Sequence, residues 1–132
     1  MASIAPVTLQ IFLNNPSEGM ALIQVSYKIL PTLDDVSAGR TYRELVQLIS
    51  KPRGIERLVP GGTMWDGTVV FTGGGFNRLP ELLLPIAALR QGVISPLQSD
   101  PIIARVTLTP LPATVVTQQS NTVDVDPTPV NA

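Results

Sequence analysis

The chain has 132 residues, a length that fits one domain, and 44% of them are apolar, which is enough for a folded core. The net charge of −1 is not that of a basic nucleic-acid-binding protein, and the absence of Cys and His excludes disulfides, thiolate metal sites and the commonest catalytic base. Only 14% of the residues are charged, against about 25% in ordinary soluble domains, so we expect part of the surface to be covered, most simply by identical subunits.

The first two elements in chain order are predicted strands. Apolar and polar residues alternate from Val7 to Leu13 and again from Ala21 to Ile29, and a period of two is typical of half-buried strands. Turn-forming residues lie between the two strands, so the sequence predicts an antiparallel hairpin. The first fourteen residues contain no basic region and no long apolar stretch, and they are not typical of a signal peptide. No run of 18 apolar residues occurs, so we expect no contact with a membrane.

The next part of the chain fits two structures. Asp34 and Asp35 lie in a polar connection, which we interpret as a solvated turn because the spaced oxygen ligands of a calcium loop are absent. In the segment Arg40–Ser50, Thr41 and Glu44 form the capping-box pattern of a helix start. Its β-branched residues and flanking turns favour a strand, which we place slightly ahead of the helix.

A helix is predicted from Asn77 to Gln91. Five apolar residues recur there at helical spacing: Leu79, Leu82, Leu83, Ile86 and Leu89. Pro80 suits the first turn of a helix, whereas Pro85 is expected to kink or shorten it. Leu84 lies off the apolar stripe of this helix, so we expect it at a subunit interface.

The end of the chain contains one more predicted strand and a tail. Apolar and polar residues alternate from Ile102 to Thr109, and the sequence becomes polar from Thr117 onward. We therefore expect a single β-rich domain of residues 1–116 and a polar extended tail or arm of residues 117–132. The fold class that follows is mainly β, an antiparallel β-sandwich or flattened barrel with one peripheral helix. An α+β fold is the alternative if the segment after Gly39 is helical.

One stretch of the chain is locally basic. Five cationic residues lie within 18 positions: Arg40, Arg43, Lys51, Arg53 and Arg57. They are candidates for phosphate contacts with nucleic acid or for contacts with a neighbouring subunit. Aromatic residues that stack on bases are nearly absent there, which favours a solvated face or salt bridges to a neighbour.

The sequence contains one tryptophan and no recognisable catalytic group. Trp65 is a candidate subunit contact or seal of the core, and otherwise a platform on which a sugar stacks. Without His or Cys, a nucleophile needs Lys or an acid as its base, and neither Lys28 nor Lys51 stands in a paired Ser motif. We therefore predict no catalytic residue, no cofactor and no metal site, and we do not expect an enzyme.

These observations favour a structural subunit that assembles with copies of itself. Such a subunit belongs in a virion or capsid-like shell or in an extracellular fibre, with nucleic acid as a second partner if the basic stretch faces it. The alternative is a β-sandwich binding module that recognises a carbohydrate or a protein through its end loops. The localisation stays open at this point, and a virion or an extracellular location is favoured.

Overall fold

The computed structural model describes residues 2–15, 19–51, 54–90, 100–111 and 116–125. Within these ranges the chain forms ten strands and two short helices. The strands are β1 (Ser3–Ile4), β2 (Thr8–Asn15), β3 (Met20–Leu30), β4 (Thr41–Ser50), β5 (Arg57–Val70), β6 (Phe76–Arg78), β7 (Glu81–Pro85), β8 (Asp100–Pro110), β9 (Val116–Gln119) and β10 (Val123–Val125). The helices are α1 (Leu33–Ser37) and α2 (Ile86–Leu89). Neither of these described helices, of five and four residues, has the length to cross a membrane.

The first sheet is built around β3. Strands β1 and β2 follow each other along one side of β3, and β6 and β7 follow each other along its other side, all antiparallel. Ile29 pairs with Ile4 on one side and with Phe76 on the other, which fixes this order. Alternate residues of β3 are buried, as the period of two in the sequence predicts.

The second sheet has β4 and β8 at its centre. Strand β4 pairs with β5 on one side and with β8 on the other, and β9 and β10 follow each other along the far side of β8. The segment Arg40–Ser50, whose sequence fits either a helix or a strand, thus forms strand β4. Two full ladders, together with the burial of Tyr42, Val46 and Leu48, outweigh the local capping pattern at Thr41 and Glu44.

The two sheets pack face to face, and their inner side chains form one core. At one side the sheets are joined, because Val7 pairs with Ser120. The Asn121 side chain strengthens this join by accepting from the Leu9 N–H at 2.8 Å and donating to the Leu9 carbonyl at 3.3 Å. At the other side β5 faces β6 and β7, and among the described residues no backbone hydrogen bond links them. The predicted fold class, an antiparallel β-sandwich, is confirmed, with one closed and one open edge.

The predicted helix from Asn77 to Gln91 is wrong. Residues 76–85 form β6 and β7 on β3, and only α2 is helical; Gln91 lies outside the described residues. Pro80 and Pro85 both interrupt helical hydrogen bonding, whereas the edge of β3 offers partners for the whole segment. Leu84, expected at a subunit interface, is 7% exposed and packs in the core of the single chain.

The predicted tail is ordered in its first part. Residues 116–119 and 123–125 are strands of the second sheet, and Val125 is 3% exposed, so this part of the expected tail packs on the domain. These polar strands satisfy their backbone groups on β8, which the sequence pattern does not reveal. Residues 126–132 of the predicted tail lie outside the described residues.

Candidate functional site

The tryptophan lies at the open edge of the sandwich and points inward. Trp65 pairs directly with Val46, a core residue, and directly paired residues in antiparallel strands share a face. Because β5 is the outer strand of its sheet, the ring remains 48% exposed. It lies along its own strand over Gly67, where an added Cβ would meet the ring at 3.1 Å. The ring is thus an inward-facing aromatic surface that solvent can reach.

The connection between β6 and β7 forms the opposite wall. Leu79 is 59% exposed there, and Pro80 follows it. Arg78 precedes it, and its guanidinium carbon lies 4.7 Å from the centre of the Phe76 ring. This stacking, typical of a cation over an aromatic face, holds the guanidinium toward the interior.

Two buried polar side chains form the floor. Glu44, 1% exposed, accepts from Arg78 Nη2 at 2.9 Å through Oε1 and from the Tyr27 hydroxyl through Oε2. Burial and then the hydrogen bond to Glu44 raise the pKa of Tyr27 well above its ordinary value, so the phenol stays protonated and donates. The carboxylate is therefore neutralised by Arg78 and held by two donors.

These residues enclose a small hollow, here called the Trp65 cleft. It has a volume of about 200 Å³ and is lined by Tyr27, Glu44, Trp65, Arg78, Leu79 and Pro80. Arg78 Nε is buried beneath it and has no hydrogen-bond partner among the described residues, while the Arg78 side chain as a whole is 34% exposed. The cleft therefore presents an aromatic wall, an aliphatic wall and part of a guanidinium group, and its ionic groups balance each other. This arrangement suits a neutral group that has both an apolar face and a polar atom.

The predicted basic surface is not a single surface. Arg40 and Arg43 lie at one end of β4, and Lys51 and Arg57 lie at the other, about 25 Å away at the rise of a strand. Arg53 lies outside the described residues. The structure thus separates the four described cations into two pairs.

The cations at the first end have acidic partners. Arg43 donates to both carboxylate oxygens of Asp66, at 2.9 and 2.8 Å, and this hydrogen bond lowers the pKa of Asp66. Arg40 Nε lies 3.8 Å from Asp35. These exposed guanidinium groups are thus engaged within the chain, whereas the sequence predicts such salt bridges with a neighbouring subunit.

Asp35 is buried, in contrast to the predicted solvated turn. Its Oδ2 accepts from Thr32 N and Oγ1, each at 2.9 Å, and the Thr32 hydroxyl caps α1 in return. Its Oδ1 accepts from the Tyr42 hydroxyl at 2.6 Å, and the oxygen of that hydroxyl accepts in turn from the Ala2 N–H at 3.1 Å. Burial raises the pKa of the Asp35 carboxyl, but these hydrogen bonds outweigh burial and the net pKa is lowered. This network joins α1, β4 and the N-terminal segment.

Two residues at the floor of the Trp65 cleft, Tyr27 and Glu44, are indicated by the sequence but are absent from the predicted site residues. Tyr27 stands in register with the inward-facing residues of β3, and Glu44 stands between the inward-facing residues Tyr42 and Val46. A glutamate at an inward position of a central strand indicates a buried partner. Arg78 carries no such signal, because it lies within the segment that the pattern assigns to a helix.

Comparison with known proteins identifies the fold and no family. No known protein family matches the sequence, and no curated protein matches it either. Two structures of a bacterial adhesin from Mobiluncus mulieris match the fold with TM-scores of 0.58 and 0.57, at 7% identity, over 96% and 95% of this chain. This chain spans 57% of the length of that adhesin, which contains intramolecular disulfide, isopeptide and ester bond cross-links.

A third structure is more distant. A protein from Bordetella pertussis assigned as ApaA shares 10% identity over 96% of this chain and 93% of its own, with a TM-score of 0.46. That score is too low to support an argument. This chain contains no Cys, so it has no counterpart of the adhesin's disulfide.

Proposed function

We propose that this protein is a non-catalytic module that works outside the cell by binding, as a structural or adhesive unit, and that the Trp65 cleft is its contact surface. The observation that carries the proposal is the hollow at the open edge, with Trp65 and Leu79 facing each other above a buried polar floor. Exposed aromatic side chains on rigid strands are typical anchors of binding surfaces.

The floor supports binding rather than reaction. Both oxygens of Glu44 are already hydrogen-bonded, one to Arg78 and one to Tyr27, and the phenol stays protonated. Among the described residues that line the cleft there is no Ser, Thr or Lys to act as a nucleophile. The similarity to an adhesin in fold supports an extracellular place for such a module.

A second candidate function, assembly with copies of the same chain, is favoured by the outer face of the first sheet. Phe12, Leu22 and Leu83 pair directly across β2, β3 and β7, and Leu83 is 57% exposed. Lys28 and Glu81 are the only charged residues on the described part of this face. A face so poor in charge matches the low charge content of the whole chain and suits a second copy that presents the same row.

Two earlier hypotheses receive less support. The ion pairs of Arg40 and Arg43 leave less free positive charge for nucleic acid, and a contact with nucleic acid stays a prediction. The fold comparisons lend no support to a virion or a capsid, so we propose the extracellular alternative.

Bead adhesion tests the binding function. Fluorescent beads coated with the protein are incubated with a panel of cultured epithelial cells, and bound beads are counted against albumin-coated beads. We expect the wild-type protein to adhere, the double variant Trp65→Ser/Leu79→Ser to lose adhesion, and Leu83→Ser to adhere normally. Leu83 is a matched control because it is as exposed as Leu79 but lies on the outer face. Equal adhesion by the double variant would contradict the proposal.

Light scattering on a size-exclusion column tests the second candidate. If the outer face joins copies, the wild-type mass rises with concentration above that of the 14.1 kDa chain. Leu83→Ser then lowers the mass, and the double variant in the cleft does not. A 14.1 kDa monomer at every concentration would remove self-assembly from consideration.

A further inference from the structure

We infer that the Trp65 cleft is a saccharide site, which takes one neutral six-membered sugar ring of a glycan. The inference rests on the proposed binding function and names the ligand of that same surface. It follows from the size of the cleft, from the aromatic wall and from the polar atoms of the floor.

The size of the cleft limits the ligand to one small group. Its volume of about 200 Å³ is below the range of roughly 300–1,000 Å³ that drug-sized ligands occupy. One sugar ring fits such a volume, and the mouth between β5 and the β6–β7 connection lets the rest of a glycan extend into solvent. The ligand is therefore recognised through a single unit.

The aromatic wall matches the apolar face of a sugar. One side of the Trp65 ring lies over Gly67 of the same strand, so the strand supports the ring from that side. The axial C–H groups of a pyranose form a flat apolar patch that packs on such a ring. Leu79 and Pro80 supply aliphatic contact from the opposite wall.

The floor matches hydroxyl groups better than it matches other ligands. The Arg78 side chain is 34% exposed, and its guanidinium carries further N–H groups besides the one that donates to Glu44. The hydroxyl oxygens of a sugar accept from such groups, and they stand on a ring that also has an apolar face. Glu44 already balances the charge of Arg78, so the cleft offers no net positive charge to an acidic sugar, and the ring is neutral.

Intrinsic fluorescence reads this site directly, because Trp65 is the only tryptophan in the chain. The wild-type protein is titrated with glucose, galactose, mannose, N-acetylglucosamine and N-acetylgalactosamine, and with glucuronate as the acidic control. We expect at least one neutral sugar to change the emission with a midpoint of about 1–10 mM, as weak single-ring binding requires, and glucuronate to have no effect.

Two variants separate a site from a general response. Arg78→Lys keeps a positive charge for Glu44 but removes the planar set of guanidinium donors, so we expect the midpoint to rise about tenfold. Leu111→Ser, a substitution of a 54% exposed residue outside the cleft, should titrate like the wild-type protein. Circular dichroism of each variant confirms that it is folded, and an unchanged midpoint in folded Arg78→Lys would overturn the assignment of the donor.

The remaining outcomes distinguish the ligand from the function. The saccharide inference is overturned if no neutral sugar alters the emission up to about 100 mM. It is also overturned if beads adhere equally to cells whose glycans were oxidised with periodate. In both cases adhesion that depends on Trp65 and Leu79 keeps the proposed function and assigns a protein ligand. Beads that adhere to no cell overturn the proposed function itself.

Discussion

Replacing Asp35 with Asn removes the centre of a buried network while keeping the size of the side chain. The carboxylate faces donors only: the Tyr42 hydroxyl on one oxygen, and Thr32 N–H and O–H on the other. An amide in its place points its NH₂ group at one of these donors in either orientation. In the better orientation the amide oxygen still accepts from Thr32, and the NH₂ group faces the Tyr42 hydroxyl. The hydroxyl proton of Tyr42 then has no acceptor, because the amide donates to it.

The expected cost follows from these contacts. Hydrogen bonds to charged groups contribute about 1.5–3 kcal/mol each, and a buried donor left unpaired costs about 1–3 kcal/mol. Since Asn keeps two of the three bonds in weaker form, we expect a loss of about 2–4 kcal/mol in the free energy of unfolding at pH 7. In urea this lowers the midpoint by about 1–2 M at the slope typical of small domains.

The effect also depends on pH in a defined direction. The pKa of Asp35 is lower in the folded protein than in the unfolded chain, so its stabilisation is present above the unfolded pKa of about 3.9. That stabilisation is lost as the pH falls through the folded pKa. The difference between wild type and Asp35→Asn should therefore be full at pH 7 and should shrink below about pH 4.

Urea denaturation followed by circular dichroism measures both effects. Asp34→Asn is the matched control, because this neighbour in the same helix is exposed, and we expect it to change stability by less than about 0.5 kcal/mol. The reasoning is refuted if Asp35→Asn unfolds at the wild-type urea concentration at pH 7. It is equally refuted if both substitutions cost the same.

Three further substitutions are predicted to act locally. Trp65→Ala should abolish bead adhesion and lower the free energy of unfolding in urea by only about 2–3 kcal/mol, because half of the ring is exposed and only its buried part contributes to stability. Gly62→Ala should destabilise the fold by about 1–3 kcal/mol, since its Cβ would lie 2.7 Å from the Val59 carbonyl oxygen, whereas Gly73→Ala, with nothing within 4 Å, should be neutral in thermal melts. Asn121→Ala should open the closed edge and cost about 1–2 kcal/mol, which faster amide hydrogen exchange at Leu9 would report and unchanged exchange would contradict.

The difference between the two edges of the sandwich connects the fold to its proposed function. A free strand edge invites pairing with other chains, and proteins usually cover or interrupt it. At the closed edge Ser120 and Asn121 perform this task with backbone and side-chain bonds. At the open edge β5 contains Pro60 and Gly61, where the strand is irregular, and Trp65 beyond them. The open edge therefore presents side chains and a hollow rather than a long flat ladder.

Much of the sheet structure is predictable from the sequence, because strand alternation is a local signal. The hairpin of β2 and β3 and the last long strand follow from apolar residues at every second position. The segment 41–50 is less certain, since its inward Glu44 interrupts the apolar face and resembles part of a helix cap. Its two neighbouring strands decide the structure, and these are contacts that the local sequence does not contain.

The segment after Phe76 shows why the same pattern can mislead. Leu79, Leu82, Leu83 and Ile86 fit helical spacing, yet Leu82 packs on the core and Leu83 faces solvent, as alternate residues of a strand do. Five Leu and Ile residues lie in these eight positions, and Leu82, Leu84 and Ile86 among them also stand at every second position. The prolines are the better signal, because a helix has to tolerate them whereas an edge strand accepts them.

The Trp65 cleft depends on long-range contacts, which limits what the sequence reveals of it. Trp65 itself is predictable as a contact residue, because it is a single exposed aromatic in a chain with few charges. Its partners Tyr27, Arg78 and Leu79 come from the other sheet, and no local pattern places them opposite it. The basic stretch shows the converse case, in which residues that are close in sequence lie far apart, at opposite ends of β4.

Nuclear magnetic resonance tests the central claim, that the open edge is the binding surface, most directly. The ¹⁵N-labelled protein is mixed with glycopeptides released by protease from cells that bind the coated beads, and the single indole N–H resonance of Trp65 is followed. We predict that this resonance and the amide of Leu79 shift or broaden, while the amides of Leu83 and Arg43 do not. Shifts confined to the outer face around Leu83, with the indole resonance unchanged, would contradict the account.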